Sequence, residues 1–312
     1  VLLLPGRLVV LAQSKSSFFQ VLCVITVPLD MAPNSFDDQY NGCDPDMEKN
    51  LMDPTQSDFA SQPNFVAVWQ LSRDKLKSSH NVPKNLGESY SVAITAYTHG
   101  GDLYKTFNEA VREGGQSSDH YHHNFTFKSF HFLLTKAHQV LQPSCRTVYR
   151  GIKGVRFSVS DLQKPIRFGQ FASSSLEKQV AEHYGKDTLF TIQTCLGVDV
   201  SNFSFRPTHK EVLIPPYEVF SVVSIREEGG TTHIELKAKG KHSNFNCGLK
   251  SGKRWGTWRM GRGRQIIPHC SAVAPVLPRR PFPEGVVGRH LLGPAAVVLW
   301  GPAGFGIVPH VV

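Results

Sequence analysis

The sequence predicts an α+β domain in which a helical part comes first and a β-rich part follows. Apolar residues recur at helical spacing before residue 143, and short runs rich in β-branched and aromatic residues follow Cys145. Two of those runs flank Glu227-Glu228-Gly229-Gly230, which is typical of a β-hairpin. Helices that precede the strands, rather than alternating with them, indicate the α+β class.

Each predicted element follows from its own hydrophobic pattern and from the stop signals near its ends. Gly114-Gly115 ends the second helix and Pro143 lies beyond the third, as helix stop signals do. The predicted helices are 63–76, 103–111, 127–141 and 176–184, and the short apolar segment 90–97 could be helix or strand. The predicted strands are 147–151, 166–171, 189–195, 211–214, 219–225 and 232–236.

The charge of the chain is concentrated near its end. From residue 249 onward there are nine Lys and Arg against one acidic residue, Glu284, so that this tail carries most of the net charge of +9. Blocks of like charge with many Gly and Pro are typical of disordered tails, and no recognition module accompanies them. We therefore expect no nucleic-acid partner.

Three segments are predicted along the chain. Residues 1–30 contain an apolar run, 18–29, that is typical of a signal peptide and too short to span a bilayer. Residues 31–249 form the folded domain. Residues 250–312 are a basic, Gly/Pro-rich tail that we expect to be disordered. The apolar end of this tail is either a degenerate lipid-anchor signal or a stretch outside the folded protein, and the second is favoured.

The cysteines and sequons favour an oxidising compartment. No cysteine belongs to a CxxC pair, so a zinc site is not expected. The Asn-x-Ser/Thr sequons at Asn124 and Asn202 suit a secreted glycoprotein. Four cysteines lie inside the domain and indicate two disulfides, for which three pairings are possible. They are Cys43, Cys145, Cys195 and Cys247.

A cation, a group of hydroxyls and a carboxylate each lie at the edge of a predicted strand. These are Arg150, the serines 173–175 and Glu211. A guanidinium can hold a phosphate or ribose by two parallel hydrogen bonds. A carboxylate oriented by a hydroxyl can bind ribose hydroxyls and stabilise an oxocarbenium-like carbon, as it does at glycosidic bonds generally. The combination suits chemistry on a nucleotide sugar.

Several motifs in this order resemble the vertebrate ecto-mono-ADP-ribosyltransferases, over residues 32–249. The clearest is the arginine, serine and glutamate pattern of Arg150, Ser173 and Glu211, in which the glutamate begins Glu-Val-Leu-Ile-Pro. The segments that carry the resemblance are 35–40 with Cys43, 96–98, 149–151, 167–171, 194–197 and 211–215.

The resemblance implies a fold, a reaction and a location. The fold would be a helical N-terminal part packed on a split β-sandwich that binds NAD in a cleft. The reaction would transfer one ADP-ribose from NAD to an arginine-containing protein without a metal. Cys43 would pair with Cys247 and Cys145 with Cys195. The protein would be secreted or held at the cell surface, with a possible lipid anchor to the membrane.

The resemblance also implies roles for single residues. Arg150, Ser173 and Glu211 would be catalytic. The residues expected to contact NAD are Tyr97, Arg150, Gly151, Phe168, Gln170 and Ser175. Tyr97 and Phe168 would stack on a ring of NAD, although packing in the core is an alternative for both. Gly151 is alternatively a simple turn glycine, and Ser175 could cap the next helix.

One position departs from the family pattern. The residue two before Glu211, a glutamate linked to the arginine acceptor in the family, is His209, and Lys210 follows it. A neutral or positive edge should repel a guanidinium. The alternatives to arginine transfer are therefore NAD hydrolysis, transfer to another acceptor, or a non-catalytic surface glycoprotein. Residues 120–123, rich in His, are expected to be a loop rather than a metal site, and Glu218 is expected to be solvated.

Overall fold

The computed structural model describes residues 23–43, 45, 48, 63–79, 83, 85–248, 269 and 270. The rest of the predicted signal-like segment and of the tail 250–312 lie outside the described residues, so the predicted boundaries remain predictions. Within the described part of the chain, no helix combines the length and the apolar character needed to cross a membrane.

The first half of the described domain is a layer of five helices. Apolar faces at helical spacing meet in a core rich in aromatic rings, in which Phe107 packs against Phe127, Phe130 and Phe171. Residues 90–97 belong to a helix, which settles their type. The helices are α1 (Pro63–Lys77), α2 (Glu88–Tyr97), α3 (Asp102–Glu113), α4 (Ser118–Asn124) and α5 (Lys128–Val140).

The second half is dominated by a seven-stranded sheet. Its strands are β2 (Arg146–Ile152), β4 (Ala172–Ser175), β5 (Thr188–Thr194), β6 (Val198–Asp199), β7 (Glu211–Ile214), β8 (Glu218–Glu228) and β9 (Thr231–Lys241). Their order across the sheet is β6-β7-β4-β2-β5-β9-β8, and all pairs are antiparallel except β5 and β9, which run parallel. A helix, α6 (Lys178–Tyr184), connects β4 to β5.

The predicted hairpin is confirmed. Strands β8 and β9 are joined by Gly229 and Gly230, whose φ angles are 57° and 84°. A two-residue turn of this hand requires positive φ at both positions, which glycine adopts without strain.

A second, three-stranded sheet was not predicted. It has the order β10-β1-β3, where β1 is Cys23–Pro28, β3 is Val155–Ser158 and β10 is His269–Cys270. Strand β1 runs parallel to β3 and antiparallel to β10. The described end of the predicted signal-like segment is thus hydrogen-bonded to the domain.

The predicted strand at 166–171 is wrong. Only Ile166 forms a bridge, with Phe220, and the chain then leaves the extended conformation at Gly169, where φ is 65°. The reason is Arg167, whose side chain is fully buried and paired with the buried carboxylate of Asp37. Arg167 also donates to the carbonyls of Met31 and Ala32 and to that of His242. This pairing ties both ends of the domain to its centre.

The loop predicted at residues 120–123 is also wrong, because these residues lie in α4. Ser117 caps that helix by accepting a hydrogen bond from the amide of His120 at 3.0 Å. A serine at this position satisfies an amide that the first turn leaves without a partner. Across the described residues, no three metal-ligating side chains converge on one point.

Glu218 is not solvated, contrary to prediction. Its side chain is fully buried, where it accepts hydrogen bonds from the Thr194 hydroxyl at 2.6 Å and from the amides of Cys195 and Leu196 at 2.7 and 2.9 Å. Burial raises the pKa of this carboxyl above its ordinary value. The carboxylate holds the turn that follows β5.

Two disulfides join distant parts of the domain. Cys43 pairs with Cys247 across a sequence separation of 204, and Cys145 pairs with Cys195 across a separation of 50. Of the three pairings that the sequence allows, this is the one implied by the resemblance. Disulfides of this kind persist in oxidising compartments, which is consistent with an extracellular protein.

Candidate active site

A cavity of about 360 Å³ lies between the C-terminal end of α2, helix α6 and strands β2, β4 and β7. Seven of the nine residues predicted as catalytic, NAD-contacting or acceptor-edge residues line it, although they lie up to 114 positions apart in the sequence. The predicted residues that line the cavity are Tyr97, Arg150, Gly151, Ser173, Ser175, His209 and Glu211.

Arg150 lies in β2 and is only 3% exposed. One of its Nη atoms donates to the backbone carbonyl of Ser173 on β4, whereas its buried Nε has no partner among the described residues. Burial lowers the pKa of the guanidinium to about 10, so it remains charged at neutral pH. A charged donor beside an open cavity is suited to bind a phosphate or ribose oxygen.

Glu211 begins β7 and pairs in register with Ser175 on the neighbouring strand β4, so that Ser173 lies diagonally from it on the same face of the sheet. Burial raises the pKa of the Glu211 carboxyl, and hydrogen bonds from the hydroxyls of Ser173 and Ser204 act against that rise. The nearby guanidinium groups of Arg150 and Arg206 also oppose it. A half-buried carboxylate with these partners is fixed in direction, as electrostatic stabilisation of a cationic sugar carbon requires.

Gly151 and Ser175 have structural partners as well as a place on the cavity wall. A Cβ on Gly151 would lie 2.0 Å from the carbonyl oxygen of Ala181, so β2 and α6 approach each other too closely for any side chain. The Ser175 hydroxyl donates to the carbonyl of His209 at 2.7 Å and accepts from the amide of Glu177 at 2.9 Å. Both residues therefore hold α6 and β7 around the cavity.

Phe168 and Gln170 do not line this cavity. The partly buried ring of Phe168 packs edge-on against Phe190 and Phe220, which belong to the buried apolar cluster of the sheet. The amide oxygen of Gln170 accepts a hydrogen bond from Arg112 on α3, and the side chain is buried. Phe168 therefore adopts the alternative predicted for it from the sequence, which is packing in the core.

His209 lies in a single 3-10 turn immediately before β7 and lines the cavity. Its Nδ1 is 2.8 Å from the hydroxyl of Tyr184 on α6. Burial raises the pKa of that hydroxyl, and the charge of the nearby Arg206 opposes the rise. Burial lowers the pKa of His209, and the charge of Arg206 lowers it further. Lys210 faces away from this cluster and pairs with the carboxylate of Glu177 at 2.5 Å.

Sequence reasoning missed several residues of the cavity wall. Arg206 and Ser204 precede Glu211 by five and seven positions, and both act on its pKa. Tyr184 ends the helix predicted at 176–184, and Lys105 lies in the first turns of α3. Nearness to Glu211 in the sequence was a usable signal for Arg206 and Ser204, but no local pattern marks Tyr184 or Lys105.

The charges that line the cavity are mainly positive. Lys105, Arg150 and Arg206 face it, and Glu211 is the one carboxylate among the described residues of its wall. A cavity of this charge attracts an anionic ligand, while the single carboxylate marks the place where positive charge can be stabilised. A dinucleotide with a pyrophosphate and a cationic nicotinamide–ribose end has both features.

The fold and the cavity define the ADP-ribosyltransferase class. The crystal structure of the eukaryotic mono-ADP-ribosyltransferase ART2.2 aligns with a TM-score of 0.61 and 40% sequence identity, covering 72% of this chain and 98% of that one. A variant of ART2.2 was solved in complex with NAD. The α+β fold predicted from the sequence is confirmed by this likeness.

The family follows from the sequence comparisons. The family described as NAD:arginine ADP-ribosyltransferase matches residues 29–244, and the chain belongs to this family. It is 43% identical over 249 residues to NAD(P)(+)–arginine ADP-ribosyltransferase 2 of Gallus gallus, covering 78% of each chain. It is 42% identical over 235 residues to GPI-linked NAD(P)(+)–arginine ADP-ribosyltransferase 1 of Mus musculus, covering 70% of this chain and 72% of the relative.

Proposed function

We propose that this protein transfers a single ADP-ribose from NAD to an arginine side chain of another protein and releases nicotinamide. The observation that carries the proposal is the convergence of Arg150, Ser173 and Glu211, from three different strands, on one positively charged cavity. Family membership gives the reaction, and the geometry supplies a group for each step.

The first step is the cleavage of the bond between nicotinamide and ribose. Arg150 holds the phosphate and ribose region, and the Ser173 hydroxyl orients Glu211. The glycosidic C–N bond breaks and its electron pair leaves with neutral nicotinamide, so the ribose carbon becomes cationic. The carboxylate of Glu211 stabilises that cation and binds the ribose hydroxyls. No proton needs to be donated to the leaving group.

In the second step a nitrogen of the acceptor guanidinium attacks the cationic carbon. A C–N bond forms and the nitrogen loses one proton, so the products are ADP-ribosylarginine, nicotinamide and a proton. The part of the cavity wall nearest the attacking nitrogen contains His209, Tyr184 and Arg206. Among the described residues, no carboxylate other than Glu211 lines the cavity. An incoming guanidinium therefore meets a neutral or positive edge.

That edge favours a second candidate function, NAD hydrolysis. Water is neutral and is not repelled by Arg206 or by a protonated His209, so it can attack the same cationic carbon. The products are then ADP-ribose, nicotinamide and a proton. The first step is common to the two activities, and only the acceptor differs.

The experiment incubates the full chain with NAD labelled in the adenosine part and with agmatine as a small guanidinium acceptor. The variants are Glu211→Gln, which should abolish both products, and His209→Glu, which restores a carboxylate to the edge. Labelled agmatine from the unaltered protein supports arginine transfer. Free ADP-ribose alone, with transfer gained in His209→Glu, supports hydrolysis. Loss of neither product in Glu211→Gln would refute the assignment of the site.

The enzyme is extracellular, in keeping with its two disulfides and with relatives described as GPI-linked or ecto enzymes. Its acceptor is then a protein arginine exposed outside the cell, and a lipid anchor would hold the enzyme at the membrane. Asn124 and Asn202 are both exposed, so each sequon is accessible to carry a glycan.

A further inference from the structure

The cavity opens to solvent on the side that carries His183 and Arg206, which are the exposed side chains of its described wall. Tyr184 follows His183 on α6, and its hydroxyl is 2.8 Å from Nδ1 of His209. The amide of His209 in turn donates to the carbonyl of Arg206 at 3.0 Å. We call these four residues the open rim. A protein acceptor reaches bound NAD across this rim, since Arg150 inside the cavity is only 3% exposed.

Arg206 brings an uncompensated positive charge to the open rim. Its guanidinium lies against the turn between α2 and α3, where a Cβ on Gly100 would be 3.6 and 3.9 Å from the two Nη atoms. The described arginines that form an ion pair with a carboxylate are Arg73, Arg146 and Arg167. Arg206 therefore keeps a charge that no described carboxylate neutralises by direct contact, and this charge can attract an anion.

The cavity remains positive when NAD is bound. Its described wall contains three cations, Lys105, Arg150 and Arg206, against the carboxylate of Glu211. NAD adds a pyrophosphate with two negative charges and a ring with one positive charge, so the complex keeps a net positive charge. Lys105 also lies 3.7 Å from the carboxylate of Asp102, but the Asp102 side chain is 86% exposed and solvent screens such a pair. An anionic acceptor is therefore attracted to the complex.

We propose that the enzyme also transfers ADP-ribose to the carboxylate side chains of acceptor proteins, and that Arg206 draws the acceptor carboxylate to the open rim. This inference rests on the first step of the proposed function, the cleavage of NAD. The open rim selects between acceptors by charge, because it repels a guanidinium and attracts a carboxylate. A guanidinium must also lose a proton when it attacks, and none of the four rim residues is a carboxylate that could take that proton.

The second step differs from arginine transfer in its proton balance. Nicotinamide has left as a neutral molecule with the electron pair of the glycosidic bond, so the ribose carbon is cationic. One oxygen of the acceptor carboxylate attacks that carbon and a C–O bond forms. The products are an ADP-ribosyl ester and nicotinamide, and no proton is released. The acceptor carboxylate is already ionised at neutral pH, so this step needs no base.

The test incubates the full chain with NAD labelled in the adenosine part and with a terminally blocked peptide of glutamates. The same peptide with glutamine in place of glutamate is the acceptor control, and Glu211→Gln is the enzyme control. We expect label on the glutamate peptide alone, and none with Glu211→Gln. Neutral hydroxylamine should release the label and leave a hydroxamate on glutamate, detected by mass spectrometry. Only an ester linkage gives a hydroxamate.

The role of Arg206 is measured as the ratio of labelled peptide to free ADP-ribose. Both products arise from the same first step, so the ratio reports on the acceptor alone. Arg206→Gln should lower it about fivefold, the upper end for an exposed pair of charges, whereas Arg206→Lys should preserve it. Lys210→Gln is the matched control and should leave the ratio unchanged, because Lys210 faces away from the cavity and pairs with Glu177. His209→Glu should move label from the peptide to agmatine.

The outcomes separate this inference from the proposed function. Labelled agmatine or free ADP-ribose without a labelled glutamate peptide would overturn the inference and leave NAD cleavage standing. A labelled glutamate peptide without labelled agmatine would support the inference and remove arginine as the acceptor. A ratio that falls equally in Arg206→Gln and Lys210→Gln would overturn the role of Arg206. No consumption of NAD by the unaltered protein would overturn both proposals.

Discussion

Gly151 lies in β2 directly against the backbone of α6, which leaves no room for a side chain. In Gly151→Ala the new Cβ would lie 2.0 Å from the carbonyl oxygen of Ala181 and 2.5 Å from that of Gly185. Since Cβ atoms essentially never approach other atoms within 3.0 Å, α6 must move away from β2 by about 1 Å. Overpacking of this kind costs about 1–3 kcal/mol of the free energy of unfolding.

The same displacement should reach the active site, because Arg150 precedes Gly151 and both strand and helix line the cavity. A misplacement of about 1 Å can lower turnover roughly 100-fold. We therefore expect Gly151→Ala to lose about two orders of magnitude in kcat/KM for NAD while remaining folded at 25 °C. The assay combines NAD consumption with thermal unfolding, so that activity is compared between folded proteins.

The control is Gly87→Ala at the start of α2, where the new Cβ would make an ordinary contact of 3.7 Å with Tyr90. It should change kcat/KM by less than about twofold, as surface substitutions usually have small effects. If Gly151→Ala kept kcat/KM within the same twofold range, the inference that close packing of α6 on β2 places Arg150 would be refuted.

Two further predictions concern buried charges away from the cavity. Arg167→Met leaves the Asp37 carboxylate buried without its cation and should lower the free energy of unfolding by about 3–5 kcal/mol in denaturant titrations, whereas the double variant with Asp37→Asn should recover part of the loss. Glu218→Gln tests how the titration of Glu218 affects stability. Burial raises the pKa of this carboxyl above 4.5 in the folded state. The carboxyl therefore stabilises the fold at pH values below 4.5, and this contribution is lost as the pH rises through the folded-state pKa. The stability of the unaltered protein relative to Glu218→Gln should therefore fall with rising pH, and a difference that is flat in pH would contradict the assignment.

The sequence predicted most of the elements that surround the site, because their patterns are local. Strands β2, β7, β8 and β9 carry the alternation and turn residues expected of them, and the glycines of the last hairpin adopt the required positive φ. The proposed catalytic residues Arg150, Ser173 and Glu211 were predicted from their residue types and their order in the sequence, and all three line one cavity. Ser173 and Glu211 meet because β4 and β7 are neighbouring strands, which pair Glu211 with Ser175 and place Ser173 two positions away on the same face.

The errors arose where a distant partner overrides a local preference. Residues 166–171 have strand-like composition, but the burial of Arg167 depends on Asp37, which lies 130 positions earlier. A glutamate such as Glu218 is usually a surface residue. The hydroxyl and the two amides that donate hydrogen bonds to it lie more than 20 positions away in the sequence. The buried Asn108 on α3 was missed because its amide donates to the hydroxyl of Tyr97, which lies on another helix.

The wide spacing of these partners in the sequence imposes an order on the synthesis and folding of the protein. Arg167 needs oxygen atoms from residues 31–37 and from His242, and Cys43 needs Cys247. Contacts so distant in sequence close late, because the intervening chain must first be ordered. During synthesis Cys145 can meet Cys195 early, whereas Cys43 must wait as a free thiol until residue 247 has left the ribosome. The helical half is thus made first but completed last, and until then Cys43 is open to mispairing with any other exposed thiol.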